Sequence, residues 1–253
     1  GNVAFDVAVG WSSAYSNATV IVKDATIVGE IEVGNYGTAA ENIVLAIQGG
    51  NLTGATIVIP NEASGTVTKA DTVEVGAPEG YEWEDGALVA IAYVAEANGV
   101  KYETLEAAFA ATTEGTITML SDAAGNGIVV PSGSNITLDM ADYTYTIDGE
   151  TVGSTGTKTL GFQLLKGSDI TIKNGTIKSD KAKALIQNYA NLTLDKVDLI
   201  GGEITQYVLS NNYGETVLTN GTTITATAGN VAFDVAVGWS SAYSNATVIV
   251  KDA

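Results

Sequence analysis

Two pairs of carboxylates offer the most direct chemistry in this chain. Asp139 with Asp142, and Asp195 with Asp198, stand three residues apart, and two carboxylates at a suitable separation are enough to hydrolyse a glycosidic bond. A denser acidic group, Glu79, Glu82, Glu84 and Asp85, could hold Ca²⁺ together with backbone carbonyls; calcium is the one cofactor for which the residues leave room. Trp11 and Tyr15 lie in the stretch GWSSAYSN, which returns as Trp239 and Tyr243, and rings of this kind either stack on sugars or pack against a neighbouring copy. Each has a plainer use. Aspartate at a bend is a routine turn residue, a run of acids is a solvated connector, and a loop aromatic is packing first. Asn17, Asn51, Asn135, Asn174, Asn191, Asn220 and Asn245 all begin Asn-x-Thr sequons. They recur because an asparagine ends a bend and a threonine opens the next strand, with no sugar required.

Composition narrows the chemistry further. The chain carries a net charge of −18, has 11 cations that are all lysine, and contains no arginine, histidine or cysteine. That balance argues against nucleic acid, which rewards clustered Lys and Arg, and against an anionic membrane surface. Without His or Cys there is no ligand set for a transition metal, and without Cys packing must supply the stability. No apolar run is long enough to span a bilayer. A Lys–Asn isopeptide crosslink would need a buried Lys, Asn and acid together, which the sequence alone does not place. The expectation is that the chain is not an enzyme.

The elements that position these residues are short β-branched runs bounded by Gly, Asn or Asp. They include 17–27, 41–59, 135–147, 169–177, 191–200 and 215–227, each of the form strand, turn, strand. Their turn residues Asn174, Lys196, Asn220 and Asp252 follow at 22, 24 and 32 residues, near the length of one coil of a parallel β-helix. Segment 101–112 is different. Leu105, Ala108, Phe109 and Ala111 share one helical face and Thr104 is a fitting N-cap, so a short helix near 104–112 is expected to cover the open end of the first coil. Residues 77–99 carry a proline, several glycines and a turn at Glu84-Asp85-Gly86, which predicts a hairpin between Tyr81–Trp83 and Leu88–Val94.

One further feature orders the whole. Gly1–Ala25 and Gly229–Ala253 are identical, an offset of 228 residues. A repeat at a fixed period indicates a tandem architecture, so the chain reads as one period plus the start of the next. On that reading 1–75 are terminal solenoid coils completing a preceding repeat, 76–99 are a connector with a hairpin, and 100–253 are a capping helix followed by coils.

VAEANGVKYETLEAAFAATTEGTITMLSD, IVVPSGSNITLDMADYTYTI and the preceding APEGYEW resemble a module of large bacterial surface and adhesin-like proteins. In that module a helix introduces the coils of a right-handed parallel β-helix. The likeness covers about residues 77–180; it departs in an Ala-rich helix and in MADYTYT. It implies an all-β, right-handed parallel β-helix, in agreement with the general hand of parallel crossovers, and an extracellular or cell-surface location. Polysaccharide lyases and hydrolases of similar shape use Arg, Lys with Ca²⁺, or Asp with His, most of which is missing. The expected function is a structural tandem-repeat protein forming an extracellular filament, stalk or fibre. Its main partners are copies of itself. The alternative is an adhesin or carbohydrate-binding module that contacts surface glycans.

Overall fold

The computed structural model describes residues 3–9, 17–35, 42–59, 65–154, 156–237 and 240–253. The chain is a β-solenoid of parallel stacked coils, about nine turns in all, and it divides into two compact units between Ile91 and Ala92, inside the expected connector.

In the first unit β1 (Val3–Val9), β2 (Asn17–Val22), β3 (Thr26–Asn35), β4 (Asn42–Ile47), β5 (Asn51–Val58) and β6 (Gly65–Lys69) alternate between two parallel sheets, ordered β1-β3-β5 and β2-β4-β6. Alternation along each strand sends one face inward. Ile31 and Val33, Ile43, Leu45 and Ile47, and Ile57 are therefore buried together in one core with Val7 and Val22. The stack ends in an antiparallel hairpin, β7 (Tyr81–Glu84) and β8 (Ala87–Ala90), with Asp85 at φ 46° and Gly86 at φ 78°. That is the two-residue turn whose twist suits a hairpin, and a Cβ at Gly86 would lie 2.6 Å from the Lys69 carbonyl oxygen. Trp83 packs on the core, and its Nε1–H donates to Val75 O at 3.0 Å.

The hairpin's second strand stops at Ala90 rather than reaching Val94. Val94 belongs to the second unit, where its N–H donates to Tyr102 O at 2.8 Å. It introduces a second antiparallel hairpin that the sequence reading did not anticipate, β9 (Ala95–Ala97) and β10 (Val100–Tyr102), turning at Asn98 (φ 53°) and Gly99 (φ 77°). Helix α1 (Leu105–Ala111) follows, with the Thr104 hydroxyl accepting from the Ala107 N–H at 3.1 Å. Leu105, Ala108 and Phe109 are buried, while Ala111 faces solvent and Thr112 is buried in its place. Seven residues are too few for an isolated helix; docking on the first coil holds it, with Phe109 edge-on to Phe162 at 6.1 Å.

The coils then succeed one another as β11 (Glu114–Met119), β12 (Ala123–Gly125) and β13 (Ile128–Val130); β14 (Asn135–Asp139), β15 (Thr144–Ile147) and β16 (Leu160–Leu164); β17 (Asp169–Ser179) and β18 (Ala184–Asn188); β19 (Asn191–Gly201) and β20 (Tyr207–Asn211); β21 (Gly214–Thr219), β22 (Thr223–Thr225) and β23 (Val231–Val235); and β24 (Ala246–Val250). Register stacks like on like inside: Ile136, Ile170 and Leu192 in one file, Leu138, Ile172, Leu194 and Leu218 in the next. The bends stack too. Asn174, Lys196, Asn220 and Asp252 all hold φ between 52° and 57°, so the four turn residues read from the sequence occupy one corner of the solenoid. A second corner is lined by buried asparagines. The Asn188 amide nitrogen donates to Asn211 Oδ1 (2.9 Å), Ala190 O (2.9 Å) and Thr216 Oγ1 (3.0 Å).

Candidate functional site

The two carboxylate pairs are occupied at the bends. Asp139 accepts from Asn174 (3.2 Å) and from the Ala141 N–H (3.1 Å), and pairs with Lys173 at 3.0 Å. Burial alone would raise its pKa, but the hydrogen bonds from Lys173, Asn174 and Ala141, with the charge of Lys173, hold it below the usual carboxylate value. Asp142 pairs with Lys196 at 2.9 Å. Asp195 accepts from Asn220 at 2.7 Å and Asp198 from the Thr223 hydroxyl. Each carboxylate thus ties one coil to another. A general acid for glycoside cleavage needs a raised pKa; Asp139, the one carboxylate with a resolved shift, has moved the other way.

Glu79, Glu82, Glu84 and Asp85 are all exposed, and Asp85 forms the hairpin turn. Among the described residues no three of Asp, Glu, His or Cys are gathered in a way that could hold a metal ion. None of the eleven lysines is buried, so the Lys–Asn–acid arrangement of an isopeptide crosslink is not assembled.

Trp11, Tyr15 and Trp239 lie outside the described residues. Tyr243 lies in a short 3-10 turn, Ser241–Tyr243, where its ring stands 5.1 Å from that of Tyr189 and 5.8 Å from that of Tyr213. The Lys166 ammonium sits 4.2 Å from the centre of the Tyr213 ring and donates to Ala242 O at 2.6 Å. Burial, and then the neighbouring Tyr243, raise the pKa of Tyr189. Lys166, Tyr189 and Tyr213 follow the ends of β16, β18 and β20 at intervals of 23 and 24 residues, one coil each. That interval was a readable signal for the cluster. It offers stacking faces and a cation but no nucleophile or base, so its chemistry is contact.

The duplicated stretch has the most informative geometry. Both copies fold as the same strands: Val231–Val235 of β23 match Val3–Val7 of β1, and Ala246–Val250 of β24 match Ala18–Val22 of β2. In both places they are edge strands, but each copy uses the opposite edge. The first copy pairs forward, β1 with β3 and β2 with β4; the second pairs backward, β23 with β20 and β24 with β21. Backbone hydrogen bonds show the same complementarity. The Gln48 N–H donates to Val22 O at 2.7 Å, whereas the Lys251 N–H, beside the counterpart Val250, donates to Leu218 O at 2.8 Å. An edge strand with free backbone groups is a template for another chain, and this coil presents one such edge at each of its two positions.

Among the described residues no helix is long and apolar enough to cross a membrane. Comparison of the chain with family models, with curated proteins and with solved structures gave no match.

Proposed function

We propose that the protein is a structural tandem-repeat component of an extracellular fibre or stalk, built by head-to-tail continuation of its solenoid units. One observation carries this: an identical 25-residue coil lies at the edge of both stacks and leaves opposite edges open. Contacts between different patches of like molecules, when they do not close into a ring, make filaments. Support comes also from the surface-module motifs in residues 77–180 and from the net charge of −18, which keeps neighbouring fibres apart. Catalysis has no support in the carboxylates, which serve as ties between coils. Electron microscopy of the purified protein tests the reading. Long thin objects with an axial repeat set by one 228-residue unit are expected; compact monodisperse particles at all concentrations would overturn it.

The adhesin reading rests on the Lys166–Tyr189–Tyr213–Tyr243 cluster, whose rings and cation suit a sugar face. A glycan array showing binding that Tyr213→Ala removes would favour it over a purely structural role.

A further inference from the structure

The second copy of the coil leaves its inward-facing side chains uncovered. Val235 is 48% exposed and Val250 55%, whereas their counterparts Val7 and Val22, covered by β3 and β4, are 1% and 6% exposed. Phe233 is 41% exposed. The same sequence is therefore half-finished in both places, each time on the side that the other place completes.

Resting on the fibre reading, we infer that the junction between successive copies is one shared coil. Residues 1–25 of a second copy displace residues 229–253 from β20 and β21 while keeping their own β3 and β4. The displaced coil and its replacement are the same sequence, so every strand pairing seen now is kept. Asn211 Nδ2, which now donates to Thr247 O at 2.9 Å, meets the carbonyl of the identical residue, Thr19. What changes is that the coil's two open edges disappear, and Phe5, Val7 and Val22 take the positions that Phe233, Val235 and Val250 leave exposed.

The competing junction would stack the two coils on one another. That places each residue over its own duplicate: Asp6 over Asp234, Lys23 over Lys251, Asp24 over Asp252. Like charges facing each other on neighbouring strands are destabilising, and Asp6 already faces Glu32 on its other side. In the shared arrangement the aspartate at this position lies between Ser210 and Glu32. The lysine and aspartate at the bend lie beside β21 and its turn, where Asp252 O now accepts from the Gly221 N–H.

Sharing also decides what the folding unit is. The coils from β11 onward are covered at their start by α1 and the β9–β10 hairpin, and the coils ending in β6 are closed by the β7–β8 hairpin. Residues 92–253 of one copy, with the shared coil in place, and residues 26–91 of the next make one solenoid closed at both ends. The fibre is then a string of finished solenoids, each contributed by two successive copies.

Engineered disulfides in the full chain separate the two junctions, because the protein has no cysteine of its own. Val217 and Ile249 are register partners on β21 and β24, and Ile21 is the counterpart of Ile249. Adjacent strands lie within the Cα separation a disulfide needs. Val217→Cys with Ile249→Cys should close within one chain and serves as the control for folding. Ile21→Cys with Val217→Cys should give a ladder of covalent oligomers on a non-reducing gel, lost on reduction. Ile21→Cys with Ile249→Cys reports stacked coils and should give none. A ladder from this last variant, or a monomeric Ile21→Cys/Val217→Cys protein while the control closes, overturns the shared coil. Fibres seen by microscopy without the Ile21–Val217 ladder would leave the fibre reading standing and remove only the shared coil. A ladder that stops at short oligomers would do the reverse.

Discussion

Each solenoid unit has two unlike ends. In the second unit the first coil is sealed: Ala95 and Ala97 of β9 and Leu105, Ala108 and Phe109 of α1 are all buried, and β9 meets β11 antiparallel. At the other end β23 and β24 leave Phe233, Val235 and Val250 exposed along parallel edges. The first unit shows the same contrast, closed by the β7–β8 hairpin and open at β1 and β2. A parallel edge can be continued by another parallel strand, whereas an antiparallel hairpin or a docked helix stops the ladder. The lesson is that both open ends carry the duplicated sequence and both closed ends flank the connector.

The largest effect should come from breaking the sealed end. Phe109→Ala removes a buried ring that meets Phe162 edge-on, and should cost about 3–5 kcal/mol in denaturant unfolding. Next is the asparagine corner between the ends. Asn188→Ala leaves the Ala190 N–H without its acceptor and takes a donor from Asn211 and Thr216, costing about 2–3 kcal/mol by the same measurement. At the open end, Phe233→Ala should cost less than about 1 kcal/mol in unfolding, since the ring is already partly solvated. By loosening the resident coil it should speed assembly followed by light scattering; slower assembly would show that the exposed ring itself makes the contact. The smallest effect belongs to Asp139. Its folded pKa lies below 3.8, so its contribution is present above that value and is lost as pH falls through the folded pKa. Asp139→Asn should lower the midpoint of thermal unfolding slightly at pH 6, by no more than about 1 kcal/mol in stability, and not at all near pH 2.

The parts legible in the sequence are those decided within a few neighbouring residues. The Glu84-Asp85-Gly86 turn, the Thr104 cap and the left-handed corner at Asn174, Lys196, Asn220 and Asp252 depend on local backbone preference, and all are present. What depends on distant coils was not legible. Asp252 has φ 52°, yet its duplicate Asp24 stays outside the left-handed region, because a bend takes its shape from the coil beside it. Ala111 lies on the expected face of α1 but looks at solvent, since the helix ends where the chain turns into β11. The aspartate pairs looked catalytic until their partners one coil away were in view. The Lys166–Tyr189–Tyr213 file needed the strand ends as well as the interval.

The unequal lengths of the rungs also set how a solenoid would carry load. β17 and β19 share ten register pairs, whereas β12 with β15 and β13 with β16 share three each. A pull that peels one coil from the next works against one rung at a time, so resistance follows the number of pairs in that rung. The β17–β19 step is a clamp, and the steps around β12 and β13 are the compliant ones. Those compliant steps lie beside α1, whose Phe109 reaches across to Phe162. The short helix therefore works as a rivet over the weakest stitches of the second unit, holding the coil that its few backbone bonds would surrender first.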